Sequence, residues 1–128
     1  MASLIRPASP AWWWRSSGQV LLAAAPDGVR ERLLDRLDLR AYGPRAPLDR
    51  DAVERTLQRV RHEQAACCHD IHAAGISALA VPVVDGAGAW IAALGCALPT
   101  SRSTRQHDRE LLELLREAAA RIADSWGC

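Results

Sequence analysis

The chain has 128 residues, of which 49% are hydrophobic and 24% charged, and a formal net charge of +1 at pH 7. That length holds one domain with a core of its own and is too short for two ordinary ones, which excludes a multidomain enzyme; the near-average composition excludes wholesale disorder. Near neutrality leaves no basic excess of the kind that autonomous nucleic-acid-binding domains carry, so direct contact of this chain with DNA or RNA is not expected.

All 16 basic residues are arginine, and lysine, phenylalanine and asparagine are absent, a bias that points to GC-rich coding rather than to chemistry. Of the four cysteines, Cys67 and Cys68 are adjacent, Cys128 is the last residue and no C-x-x-C pair occurs, which is not a disulfide framework. The N-terminus lacks an uninterrupted apolar run of the secretory kind, and no stretch approaches the roughly 18 apolar residues of a membrane span. A soluble, cytoplasmic protein without membrane contact is the expectation.

In chain order, residues 1–15 contain Pro7 and Pro10 and show no hydrophobic period, so they read as an irregular arm carrying the consecutive Trp12, Trp13 and Trp14. Ser16 or Ser17 can cap a short helix through Val20, Leu21, Leu22 and Ala23, because a serine hydroxyl satisfies free N–H groups of a first turn. Pro26 ends that helix and suits the start of the next, over 26–37, where Val29, Leu33, Leu34 and Leu37 fall at helical spacing. Residues 40–47, with Gly43, Pro44 and Pro47, form a loop. Asp49 or Asp51 then caps a third helix to about Gln64, with Val53, Leu57 and Val60 at i, i+4, i+7 and charges on its other face.

The helical period stops there. Residues 65–70 read as a short strand and 76–84 as a longer one; an Asp85-Gly86 turn follows, and then a third strand over 89–97. Pro82 cannot donate to a strand ladder, so it belongs at an edge or a bulge. After a polar stretch, a final helix runs from about Thr104 to Ser125 with Leu111, Leu112, Leu115, Ala119 and Ile122 as its buried face. The order α, α, α, β, β, β, α specifies an α+β domain, helices packed on a small antiparallel sheet with exposed edges.

Three segments together carry a resemblance. SSGQVLLAAAP, LDLRAYGPRAPLDRDAVERTLQRVR and GISALAVPVVDGAGAWIAALGCALPTSR resemble, in this order, the small-residue helix opening, the loop and following helix, and the Gly-strand, Gly-turn, strand segment of the C-terminal effector-binding domain of IclR-type transcriptional regulators, which has a GAF-like fold. The resemblance covers Ser16 to about Ala123 and implies a partial effector-binding domain over 16–128, preceded by the arm. Nothing before Ser16 resembles the family's winged helix-turn-helix, linker helix or first sensor strands, so the chain reads as a truncated relative, a fragment or the product of a misassigned start.

In such sensors a small organic effector binds between the sheet and the short helices. By position, the resemblance implies effector contacts from Ser16, Ser17 and Gly18, from Cys68 and Asp70, from Ser77 and Ala78, and from Gly95 and Ala97. Arg15 joins them because a guanidinium beside the serines can hold an anionic effector; Arg40, Arg45 and Arg102 are balanced or solvated. Departures shift the expected ligand: Gln19 stands where the family has a lysine, CCHDIHAAG keeps only Asp70 of its acidic residues, and Gly95, Cys96, Ala97 and Leu98 stand where serines usually precede the proline. Serines that would bind a carboxylate are gone, which counts against the small oxo-acids and aromatic acids typical of the family; a more apolar, or neutral aromatic, molecule or no ligand at all is the expectation.

Other candidates are weaker. His62, Cys67, Cys68, His69 and His72 include good zinc ligands, but their spacing matches no standard pattern, and Cys67 and Cys68 would point to opposite sides of a strand; no metal or other cofactor is expected. No oxyanion hole or orienting acid is visible for a nucleophilic cysteine, so no enzyme activity is expected. Trp12 to Trp14 could form a ligand-stacking wall, a membrane-interface anchor or an association surface, and are read foremost as a cover for the core left exposed at the incomplete sheet. The expectation is an effector-sensing and oligomerisation module whose output passes through another copy or a full-length regulator; its alternative is a structural remnant that oligomerises through the Trp-rich arm and open sheet edge without a ligand.

Overall fold

The computed structural model of the chain describes residues 15–36, 49–69 and 74–126. The arm with its three tryptophans, the loop 40–47, Leu37, Asp70, His72 and Cys128 lie outside the described residues.

Helix α1 (Ser16–Ala24) begins one turn position earlier than a serine cap requires. Its cap is Arg15, in extended backbone and without a side-chain cap bond, while Gln19 N–H donates to the Arg15 carbonyl at 2.9 Å. Both serines are already inside the first turn: Ser16 is buried and Ser17 half-buried, so their hydroxyls serve packing rather than capping. Pro26, extended at φ −55°, stops α1 and stands directly before α2 (Asp27–Asp35), in keeping with its fixed φ and missing N–H. The apolar stripe of α2 is narrower than its spacing suggests: Leu34 is buried, Leu33 packs partly against the core, and Val29 is exposed.

Helix α3 (Arg50–Glu63) is capped by Asp49, whose Oδ1 accepts from Ala52 N–H at 2.7 Å, and closed by Gln64 in the left-handed region. Val53, Leu57 and Val60 are buried against α1 and the sheet. The Arg61 guanidinium donates to the Ala23 carbonyl at 3.3 and 3.1 Å, placing a cation on an otherwise unsatisfied acceptor at the negative end of α1.

The sheet is antiparallel with order β1-β2-β3: β1 (Ala66–His69), β2 (Ile76–Val84) and β3 (Trp90–Pro99). The Asp85 carboxylate ties the hairpin turn by accepting from Ala87 and Ala89 N–H at 2.9 Å each, and Gly88 takes the positive φ of 86° that closes it. Pro82 sits in the central strand, yet β1 pairing ends at Ala66↔Ala80, so Pro82 lies where only β3 flanks β2, and a bulge follows between Val83 and Val84. That reconciles a proline with a strand interior.

Side-chain alternation gives the two faces different work. Ala66 and Ala80 join Val20, Leu22, Ala23, Leu34, Val53, Leu57 and Val60 in one core on the α1 side. On the opposite face, α4 (Arg105–Trp126) lays Ala119, Leu112, Leu115, Ile122 and Ala123 on Val81, Val83, Ile91, Ala92 and Leu94. Leu111, expected in that stripe, is half-buried outside the cluster. Leu57→Ala is expected to lower unfolding free energy by roughly 2–5 kcal/mol in a urea titration, and Leu114→Ala, 61% exposed, by no more than about 0.5 kcal/mol.

Candidate functional site

Two cross-strand rows form the sheet surface under the start of α1: Ala66–Ala80–Gly95 and Cys68–Ala78–Ala97. All six side chains are small. A cavity of about 560 Å³ lies between these rows and the helix, bordered by Arg15, Ser16 and Ser17 at the N-terminal turn of α1, by Cys68 and Ala78, and by Gly95 and Ala97. Gly95 is required there because a Cβ would stand 2.9 Å from the Leu79 carbonyl oxygen and 3.0 Å from Ser17 Oγ. The floor is apolar; polar character comes from one end, where the serine hydroxyls of the first turn of α1 meet Arg15, an arrangement suited to an anionic or hydrogen-bonding group on an otherwise apolar ligand.

Cys68 is buried, and its Sγ accepts from the buried Gln19 Nε2 at 3.1 Å. Burial pushes its thiol up to about 12, with the neighbouring Cys67 adding to the rise and the Gln19 bond opposing it. Cys68 is therefore a soft wall of the cavity and not a nucleophile. Gln19, standing where a lysine was expected from the family pattern, is the donor that satisfies it.

The structure separates some residues that the sequence grouped. Gly18 is buried within α1 and does not border the cavity, and Asp70 lies outside the described residues. Ser77 is corrected outright: alternation turns it to the α4 face, where it is fully buried, 3.0 Å from His69 Nδ1 and 3.0 Å from Thr100 Oγ1. Ile76 and Cys96 border the cavity and were not anticipated, although Ile76 shares strand parity with Ala78.

A larger cavity, about 820 Å³, opens on the opposite face beside Cys67, His69, Ser103 and Asp108. Its inner polar groups are already bonded to one another: Ser103 Oγ donates to both Asp108 oxygens at 2.8 Å, and His69 Nε2 is 3.4 Å from Asp108 Oδ2. Sequence reasoning missed this cluster, though a carboxylate four residues before Leu112 on an apolar stripe was a usable signal. His62 is exposed on α3, and among the described residues no three of His, Cys, Asp and Glu converge as metal ligands. Cys67, Cys68 and Cys96 are free thiols.

Residues 13–124 match the family model "Bacterial transcriptional regulator IclR C-terminal". The chain belongs to the IclR family. It is 32% identical over 105 residues to the p-hydroxybenzoate hydroxylase transcriptional activator of Acinetobacter baylyi, covering 81% of this chain and 39% of that protein. The sheet and helices superpose with a TM-score of 0.77 and 31% identity on a PobR inducer-binding domain from Acinetobacter in complex with 3-hydroxybenzoic acid, over 84% of this chain and 62% of the other. An IclR homologue from Microbacterium hydrocarbonoxydans complexed with 4-hydroxybenzoate gives a TM-score of 0.74 and 32% identity, over 86% of this chain and 43% of that one. This IclR-type chain thus spans between 36% and 42% of the length of the curated relatives it matches. Those relatives are transcriptional regulators, and the α+β fold is that of their effector-binding domains. No helix among the described residues is long and apolar enough to cross a membrane.

The state of Cys68 gives a direct check. Burial raises the pKa of the Cys68 thiol and shields it, whereas Cys67 is exposed, so iodoacetamide should label Cys67 before Cys68, resolved by fragment mass spectrometry. Comparable labelling of both would contradict the burial described.

Proposed function

We propose that this chain is an effector-sensing module that holds a small organic molecule with an aromatic or apolar body between α1 and the sheet. Its output passes through association with another copy or with a full-length regulator, without catalysis and without its own nucleic-acid contact. The observation that carries this reading is the floor of Ala, Gly and Cys side chains beneath a helix N-terminus, which leaves ligand-sized space where larger residues would have filled the core. The hydroxybenzoate complexes of two relatives support an aromatic ligand class. In this reading Arg15, Ser16 and Ser17 hold the polar end of the ligand, and Cys68, Ala78, Gly95 and Ala97 contact its body.

The structural alternative draws on β3. Among the described residues the sheet ends at β1 on one side and at β3 on the other with no further strand, and the face of β3 toward α4 is only half covered.

A thermal-shift screen against aromatic and small organic acids separates the two. A ligand at 100 times its Kd adds about 2.7 kcal/mol of stability, enough to raise Tm by several degrees. The shift should disappear in Ser17→Trp and in Ala97→Leu, which fill the cavity. No stabilising compound across a broad library would favour the structural reading.

A further inference from the structure

Strands β1 and β2 stand between two cavities and send alternate residues into each. Cys68 and Ala78 border the proposed effector cavity, while their chain neighbours His69 and Ser77 enter the polar cluster on the other face. The cluster draws one residue or more from every element meeting there. His69 comes from β1, Ser77 from β2, and Thr100 and Ser103 from the short 3-10 turn Thr100–Arg102 and the residue after it. Asp108 comes from the first turn of α4, where its carboxylate accepts from Ser103 and faces His69 Nε2.

β1 needs such a hold. Among the described residues it is four residues long, pairs with β2 alone, and has His69↔Ser77 as its last pair. Strand ends with few partners open most readily, and beyond its pairing with Ala78 and the Gln19 bond to its thiol Cys68 depends on the end of β1 for its place across the cavity from Ser17. Asp108 is buried and polar on an otherwise apolar helix stripe, so the hydrogen bonds it accepts from Ser103, with His69 Nε2 facing it at 3.4 Å, are what make that burial tolerable.

We infer that His69 and Asp108 are positioning residues for the effector cavity: they clamp the end of β1 onto β2 and α4, and thereby set the Cys68 wall on the other face of the sheet. The same clamp couples the cavity to the start of α4, because a ligand that displaces Cys68 must also strain the His69–Asp108 contact. The coupling to ligand rests on the effector reading above; the clamp itself does not.

The test measures Cys68 alkylation by iodoacetamide in a Cys67→Ser background, under conditions where the protein is folded, alongside binding of 4-hydroxybenzoate by calorimetry. Asp108→Ala should accelerate Cys68 labelling at least tenfold. Asp108→Asn, which keeps an oxygen to accept from Ser103 and His69, should restore most of the protection. Leu115→Ala, which loosens α4 packing away from the cluster, serves as the control of matched stability and should leave Cys68 protected. Equal labelling in Asp108→Ala and Leu115→Ala overturns the clamp, and so does Asp108→Asn labelling as fast as Asp108→Ala. If Asp108→Ala does not fold, Ser77→Ala takes its place: it should label faster than Leu115→Ala, and equal labelling overturns the clamp. Where 4-hydroxybenzoate binds, Asp108→Ala should weaken it several-fold, and unchanged affinity overturns the coupling. If it binds none of the proteins, that ligand class fails, while the labelling still decides the clamp.

Discussion

The start of α1 rests on β3 at the one position in that strand with no side chain. Ser17 Oγ and the Leu79 carbonyl leave no room for a Cβ on Gly95, so the distance between helix and sheet is set by a hydrogen atom. From that approach follows the burial of Val20, Leu22 and Ala23 farther along the helix, and with it the contact of α1 with Val53, Leu57 and Val60 of α3. Each such aliphatic side chain contributes roughly 1.5–3 kcal/mol when fully buried, so a helix lifted off the sheet at its first turn would forfeit a large share of this domain's stability. The same approach roofs one side of the open cavity, because the small rows that admit the helix core at one end stop short of filling the space at the other.

The sheet is thus a partition with unlike chemistry on its sides. Toward α1 it presents alanine, glycine and cysteine; toward α4 it presents Val81, Val83 and Leu94 at one end and, at the other, His69 and Ser77, which meet Asp108 and Ser103 there. Aliphatic packing fixes the C-terminal part of α4 on β2, and hydrogen bonds fix its first turn. Because directional bonds depend on geometry far more steeply than apolar contacts do, the polar end is where a small shift of β1 would be felt.

Much of this was legible in the sequence. The limits of β2 and the Asp85-Gly86 turn followed from alternation and turn chemistry, and the Val53, Leu57 and Val60 stripe followed from its period. Ser17, Ala78, Gly95 and Ala97, distant in the chain, were grouped by resemblance, and the structure brings them to one cavity. Ser77 was misplaced because a motif names neighbours in sequence, whereas a strand sends neighbours to opposite faces. The cap of α1 was misread because a serine before an apolar run looks the same whether it precedes the helix or opens it. Asp108 was passed over as one more charge on a helix that carries many; only packing shows which charge faces inward.

The most direct measurement of the account is an amide-resolved NMR titration of the protein with 4-hydroxybenzoate. The account predicts saturable shift changes concentrated at Ser17, Gly18, Ala78, Gly95 and Ala97, with the amides of Arg105 to Leu112 responding less and at the same midpoint. Changes centred instead on Arg105 to Leu112, around the larger polar cavity, or the absence of any saturable change with this and related aromatic acids, would contradict it.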